Sequence, residues 1–111
     1  VKAAPDRGEV IWLSLDPPTG HEQAGRRPVL VLTPRTYNAA RGLMIACPIT
    51  TRVKGYVFEV PLSVPGVNGV VLADHVRSVD WRVRRWSALA VAPAPVVDAV
   101  AKRVAALIGA S

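Results

Sequence analysis

Apolar and polar positions alternate from Glu9 to Asp16 (EVIWLSLD), with Ile11, Leu13 and Leu15 on one face of an extended chain and Val10, Trp12 and Ser14 on the other. A period of two predicts a strand. Pro17-Pro18 ends it, because neither proline can donate to a ladder. Pro28 to Leu32 (PVLVL) is apolar throughout and β-branched, which predicts a central strand buried on both faces. Leu43 to Thr51 (LMIACPITT) predicts a further strand, with Pro48 marking a bulge or an edge. Val57 to Leu62, Val70 to His75, Val76 to Arg82 and Trp86 to Val91 predict short strands, and GVNG (Gly66 to Gly69) predicts a turn.

The period changes once. Between Pro93 and Gly109, Val97, Val100, Val104, Leu107 and Ile108 recur at helical spacing, predicting a helix over about 95–108. Pro95 suits its first turn and Gly109 its stop. Thr33 to Gly42 is expected to hold a helical turn. Residues 1–6 carry Pro5 and no periodicity, and are expected to form a loose tail. Residues 7–111 then form a single domain, mainly β with a C-terminal helix (α+β), built as a strongly bent antiparallel sheet or barrel.

A chain of 111 residues is long enough to bury a core without staples. One cysteine, Cys47, allows no intrachain disulfide, which favours a reducing, cytoplasmic setting. No apolar run approaches the roughly 18 residues of a membrane span, and no signal-peptide pattern opens the chain. The net charge of +6 comes from 14 Lys and Arg, mostly Arg, against 8 acidic residues. The guanidinium is a planar fork suited to phosphate, so nucleic acid or an acidic protein is the expected partner.

The sulfur and imidazole inventory is Cys47, His21 and His75, without metal-ligand spacing, so no metal and no cofactor is expected. Cys47 lies in an apolar run and reads as buried and inert. Gly20-x4-Gly25 opens like a phosphate loop, but Arg26-Arg27-Pro28 stands where Lys and Ser/Thr are needed, which excludes nucleoside-triphosphate binding by that motif. What remains is a polar cluster: His21, Glu22, Gln23, Arg26 and Arg27 in one loop, Thr50, Thr51, Arg52 and Lys54 at a strand end, and Asp74 and His75 further on. Brought together, they suit phosphodiester chemistry on RNA, where the ribose 2′-hydroxyl is a built-in nucleophile. Such a site must take the 2′ proton, stabilise the crowded phosphorus and help the 5′-oxygen leave. Glu22 is the candidate base, Arg27 the charge stabiliser and Thr50 a hydrogen-bond donor. Ordinary loop ion pairing and strand propensity explain the same residues equally simply.

The stretches RGEVIWLSLDP (Arg7 to Pro17), GHEQAGRRPVLVLTP (Gly20 to Pro34), YNAARGLMIACPITT (Tyr37 to Thr51), KGYVFEV (Lys54 to Val60), GVVLADHVRSVDWR (Gly69 to Arg82) and ALIG (Ala106 to Gly109) together resemble the MazF/PemK family of toxin endoribonucleases, and its MazF branch more closely. The resemblance implies an SH3-like antiparallel β-barrel of the MazF/PemK/CcdB type, acting as a homodimer. It implies metal-independent, sequence-specific cleavage of single-stranded mRNA that leaves 2′,3′-cyclic phosphate and 5′-hydroxyl ends. A cognate acidic antitoxin with a disordered tail is the implied protein partner. Position by position, the family's catalytic arginine falls on Arg27, its threonine on Thr50 and its loop glutamate on Glu22. Gln23, Arg26, Thr51, Lys54, Asp74 and His75 are the implied RNA contacts.

This chain departs from the family pattern at three places. His75 follows the LAD aspartate where relatives carry Gln, His21 precedes the loop glutamate, and Trp86 with an Ala-rich stretch follows Arg85. His75 is expected to contact a base, and Trp86 either to stack on one or to pack. A rival reading is a non-catalytic toxin of the same fold that poisons a topoisomerase. Its signature C-terminal Trp-Gly-Ile is missing here, where the chain ends LIGAS.

Overall fold

The computed structural model describes residues 3–14 and 25–110. Seven strands and two helices run in the order β1 (Glu9–Ser14), β2 (Arg26–Val31), α1 (Arg35–Arg41), β3 (Leu43–Thr50), β4 (Glu59–Val64), β5 (Val67–Leu72), β6 (Arg77–Asp80), β7 (Trp86–Val91) and α2 (Ala94–Leu107), with a single 3-10 turn at Ala73–His75 between β5 and β6. All pairings are antiparallel, in the order β4-β5-β3-β2-β1-β7, and β6 also pairs with β3.

The bend is built into β3. Leu43 to Ala46 pair with β6, Ala46 to Pro48 with β2, and Ile49 and Thr50 with β5. One strand thus serves two sheet segments, and the result is a half-barrel that α2 closes. Pro48 falls in the gap between the β6 and β5 pairings, where that edge has no ladder bond to lose. The expected bulge or edge is therefore a hand-over point in a central strand.

Alternation along the strands splits the buried residues between two faces. Val10, Leu30, Cys47, Ile49, Val60, Val71, Val97 and Val100 form the core between the bent sheet and α2. Ile11, Leu13, Val29, Val31, Met44, Ala46, Val79 and Trp81 form a second core on the opposite face. Trp86 packs against that second core, edge-on to Trp81 with ring centroids 6.5 Å apart.

Three sequence expectations are corrected. Ala4 and Pro5 are buried, and their carbonyls accept hydrogen bonds from Arg35 Nε and Asn38 Nδ2, so residues 4–6 dock onto α1 instead of hanging loose. The β4-β5 turn is Pro65-Gly66, with Val64 paired to Val67 and Gly66 at φ +92°, in the order of a type II turn; Asn68 and Gly69 lie in β5. Leu107 and Ile108 are exposed, because the covered stripe of α2 ends near Val104. Among the described residues, no helix is long and apolar enough to cross a membrane.

Asn38 ties α1 in place. Buried completely, it accepts from Thr33 Oγ1 at 2.6 Å and donates to the carbonyls of Pro5 and Thr33, while its own carbonyl accepts Trp81 Nε1 at 3.0 Å. Cys47 is buried too, and its thiol is pushed up to about 12 by burial, with the Asp74 charge adding to the shift. Such a group is an inert core thiol, as expected.

Candidate active site

The β2-β3 register couples Val31 to Ala46, Leu30 to Cys47 and Val29 to Pro48. Arg27 and Thr50 each lie two residues beyond the last of these pairs. Alternation puts Arg27 on the face of Val29 and Val31, and Thr50 on the face of Ala46 and Pro48, which is the face of the second core. Cover runs out between them: Val29 is buried and Arg27 is exposed. A groove of about 650 Å³ opens at this point.

Arg27, Thr50, Thr51, Arg52 and His75 line the groove, with Arg26, Trp12 and Asn68 along its walls. Arg26 is braced: its Nη2 donates to Ser87 Oγ at 3.2 Å, and its guanidinium lies 5.5 Å from the Trp12 ring centroid. Arg27 and Arg52 have no ion pair among the described residues; the ion pairs of Arg7 and Arg35 lie at the other end of β1. The groove is therefore strongly positive, which concentrates anionic ligands.

Thr50 is held by its backbone and by the next turn. It pairs with Val70 of β5, and its Oγ1 accepts the Arg52 backbone N–H at 3.1 Å. The hydroxyl keeps its own proton to donate. Gly69 presses so close that an added Cβ would sit 2.2 Å from the Thr50 carbonyl oxygen. Close approach, rather than a turn, is why glycine stands there.

The loop after β3 is exposed over residues 51–57 and is pinned from below. Glu59 is 7% exposed and accepts the backbone N–H of Lys54 at 3.0 Å and of Gly55 at 2.7 Å. Gly55, at φ +84°, makes the turn that aims both amides at one carboxylate. The Tyr56 hydroxyl then donates to Asp74 Oδ1 at 3.3 Å, and that oxygen is 4.0 Å from His75 Nε2. Desolvation, followed by the Asp74 charge, raises the Tyr56 phenol above its ordinary range.

Of the residues expected from sequence, Arg26, Arg27, Thr50, Thr51 and His75 share the groove. Glu22 and Gln23 lie outside the described residues. Lys54 and Asp74 do not line the groove: Lys54 is bound through its backbone to Glu59, and Asp74 faces Tyr56. Sequence reasoning missed Trp12, Asn68 and Glu59. Trp12 was legible as the polar-face aromatic of an alternating strand, but the Glu59 staple is a loop contact with no periodic signal.

The bent sheet and its closing helix make a half-barrel with a basic groove. The sequence model of the PemK-like, MazF-like toxin of type II toxin-antitoxin systems matches residues 6–108, and the chain belongs to that family. It is 51% identical over 80 residues to the endoribonuclease toxin MazF of Escherichia coli K12, covering 72% of each chain. It is 35% identical over 114 residues to the Escherichia coli endoribonuclease PemK, covering 96% of this chain and 84% of that one. A crystal structure of MazE-MazF from Deinococcus radiodurans superposes with a TM-score of 0.88 at 50% identity, covering 99% of this chain and all of the other.

Proposed function

We propose that this toxin is a sequence-specific endoribonuclease that cuts single-stranded mRNA without a metal. The strand lies along the positive groove. Glu22 takes the proton from the ribose 2′-hydroxyl, and the 2′-oxygen attacks the adjacent phosphorus. Negative charge builds on the non-bridging oxygens, where the Arg27 fork and the Thr50 hydroxyl donate. The bond from phosphorus to the 5′-oxygen breaks, and that oxygen takes a proton from solvent and leaves. The ends are a 2′,3′-cyclic phosphate and a 5′-hydroxyl.

The observation that carries this reading is Arg27 and Thr50 facing one groove from opposing strands. A donor-only guanidinium beside a neutral hydroxyl suits a developing anion and does not suit proton abstraction, so the base must come from elsewhere. Gln23, Arg26, Thr51, Lys54, Asp74 and His75 contact RNA around the cut. The protein works in the cytoplasm as a homodimer, and a cognate antitoxin with an acidic, disordered tail occupies the same positive groove.

Incubating the purified protein with a long single-stranded RNA in excess chelator tests the reading. Discrete cuts with 5′-hydroxyl ends are expected. Intact RNA, together with inhibition of a topoisomerase, would favour the topoisomerase-poisoning alternative.

A further inference from the structure

A second, smaller recess of about 230 Å³ opens beside the groove, lined by Val29, Ala46, Pro48 and Val79 with His75 and Arg77. Pro48 and His75 border both spaces, so the two are adjacent. Register puts them on one face. Arg77 pairs with Ala46, Val29 pairs with Pro48, and Thr50 follows Pro48 by two residues along β3. At about 3.3 Å per residue, Ala46 lies about 13 Å along the strand from Thr50, a span of the order of two nucleotides.

Its chemistry is uneven. Val29, Ala46 and Val79 are each at most 2% exposed and form an apolar floor. Arg77 is exposed and has no ion pair or hydrogen bond among the described residues. A guanidinium offers five donors and no acceptor. The Asp74 carboxylate next in the chain to His75 is taken by Tyr56.

We propose that this recess binds one base of the RNA strand, about two nucleotides from the cut, and selects a base bearing a ring carbonyl. This rests on the RNA-cleaving reading above. Pro48 and His75, on the side toward the scissile phosphate, take the ring face above the buried apolar floor, and the Arg77 fork donates to the carbonyl edge. Uracil, cytosine and guanine present such an oxygen, whereas adenine pairs its ring acceptors with an exocyclic amine. Arg77 is then a specificity-determining residue that takes no part in bond breaking.

The test compares wild type and Arg77→Ala on a single-stranded RNA library randomised around the cut, with products sequenced. Wild type is expected to prefer carbonyl-bearing bases at one flanking position, and Arg77→Ala to lose that preference there alone. An abasic nucleotide at that position should lower wild-type kcat/KM about tenfold and lower that of Arg77→Ala by a clearly smaller factor. A uniform loss across all sequences with a shallower salt dependence would make Arg77 a phosphate contact and overturn the proposal. Unchanged preferences would overturn it too, as would a shift in dimerisation or antitoxin affinity with base preference intact, since a protein side chain would then fill the recess. If wild type cuts no RNA, the functional reading itself has failed, which is separable from a loss of preference at one position.

Discussion

Arg27 and Thr50 each lie two residues beyond the last β2-β3 pair, Val29 with Pro48, and both border one groove. The pair sits where a buried sheet face becomes an open one. Donors mounted on paired strands keep their spacing, which electrostatic stabilisation of a transition state requires. Replacing Arg27 by Ala is predicted to lower the cleavage rate by about 10²- to 10³-fold without changing the thermal melt. Arg27→Lys should recover little, because a point charge cannot donate as a fork. Single-turnover rates on a defined RNA check this, and a wild-type rate for Arg27→Ala would remove Arg27 from the chemistry.

Gly69 sets the position of Thr50 from behind. An alanine there puts Cβ against a backbone oxygen that cannot swing away, so β5 or the end of β3 must move. Gly69→Ala is predicted to cost about 1–3 kcal/mol of stability, as overpacking does. It should also lower activity more than Val100→Ala, a core change remote from the groove that is of similar cost. Denaturant unfolding and cleavage rates measured on both variants decide; equal activity losses at equal stability would show that Gly69 matters for folding alone.

Glu59 carries the loop that holds Lys54 and Tyr56. Hydrogen bonds to a charged acceptor contribute about 1.5–3 kcal/mol each way of counting, so Glu59→Ala frees the loop while the strands remain. KM for RNA is predicted to rise several-fold with kcat nearly unchanged, and Glu59→Gln should recover part of the loss. A fall in kcat with KM unchanged would mean that the staple serves the reacting centre instead.

Cys47 gives a pH signature. Its folded-state thiol is raised from an ordinary 9.0 to about 12, so above pH 9 the unfolded chain loses a proton that the folded chain keeps. Stability contributed by the neutral buried thiol is complete below pH 9 and declines by about 1.4 kcal/mol per pH unit between the two values. Denaturation curves of wild type and Cys47→Ala across this range should show the extra slope in wild type only. Parallel curves would contradict the burial argument, as would rapid alkylation of the native thiol at neutral pH.

Periodicity carried most of the fold. The alternation of Glu9 to Asp16 and the helical spacing of Val97 and Val100 each reflect a local face that one core must cover; the helix forms where expected, and the strand does so up to Ser14, with Leu15 and Asp16 outside the described residues. That Arg27 and Thr50 share a groove was legible by motif and chemistry together. What stayed hidden depends on contacts between distant segments. Pro5 looked like a tail residue because its burial comes from Asn38, 33 residues away. Asn68-Gly69 looked like a turn because the close approach of Thr50 that demands glycine is not written in neighbouring residues. Glu59, Tyr56 and Asp74 form a chain of loop contacts that only the fold brings together.

The central claim is that the ribose performs the attack. A defined RNA carrying a single 2′-deoxynucleotide immediately 5′ of the mapped cut, assayed in chelator beside its all-ribose twin, tests it most directly. The deoxy strand is expected to survive intact while its twin is cut to a 2′,3′-cyclic phosphate end. Cleavage of the deoxy strand at that position would contradict it.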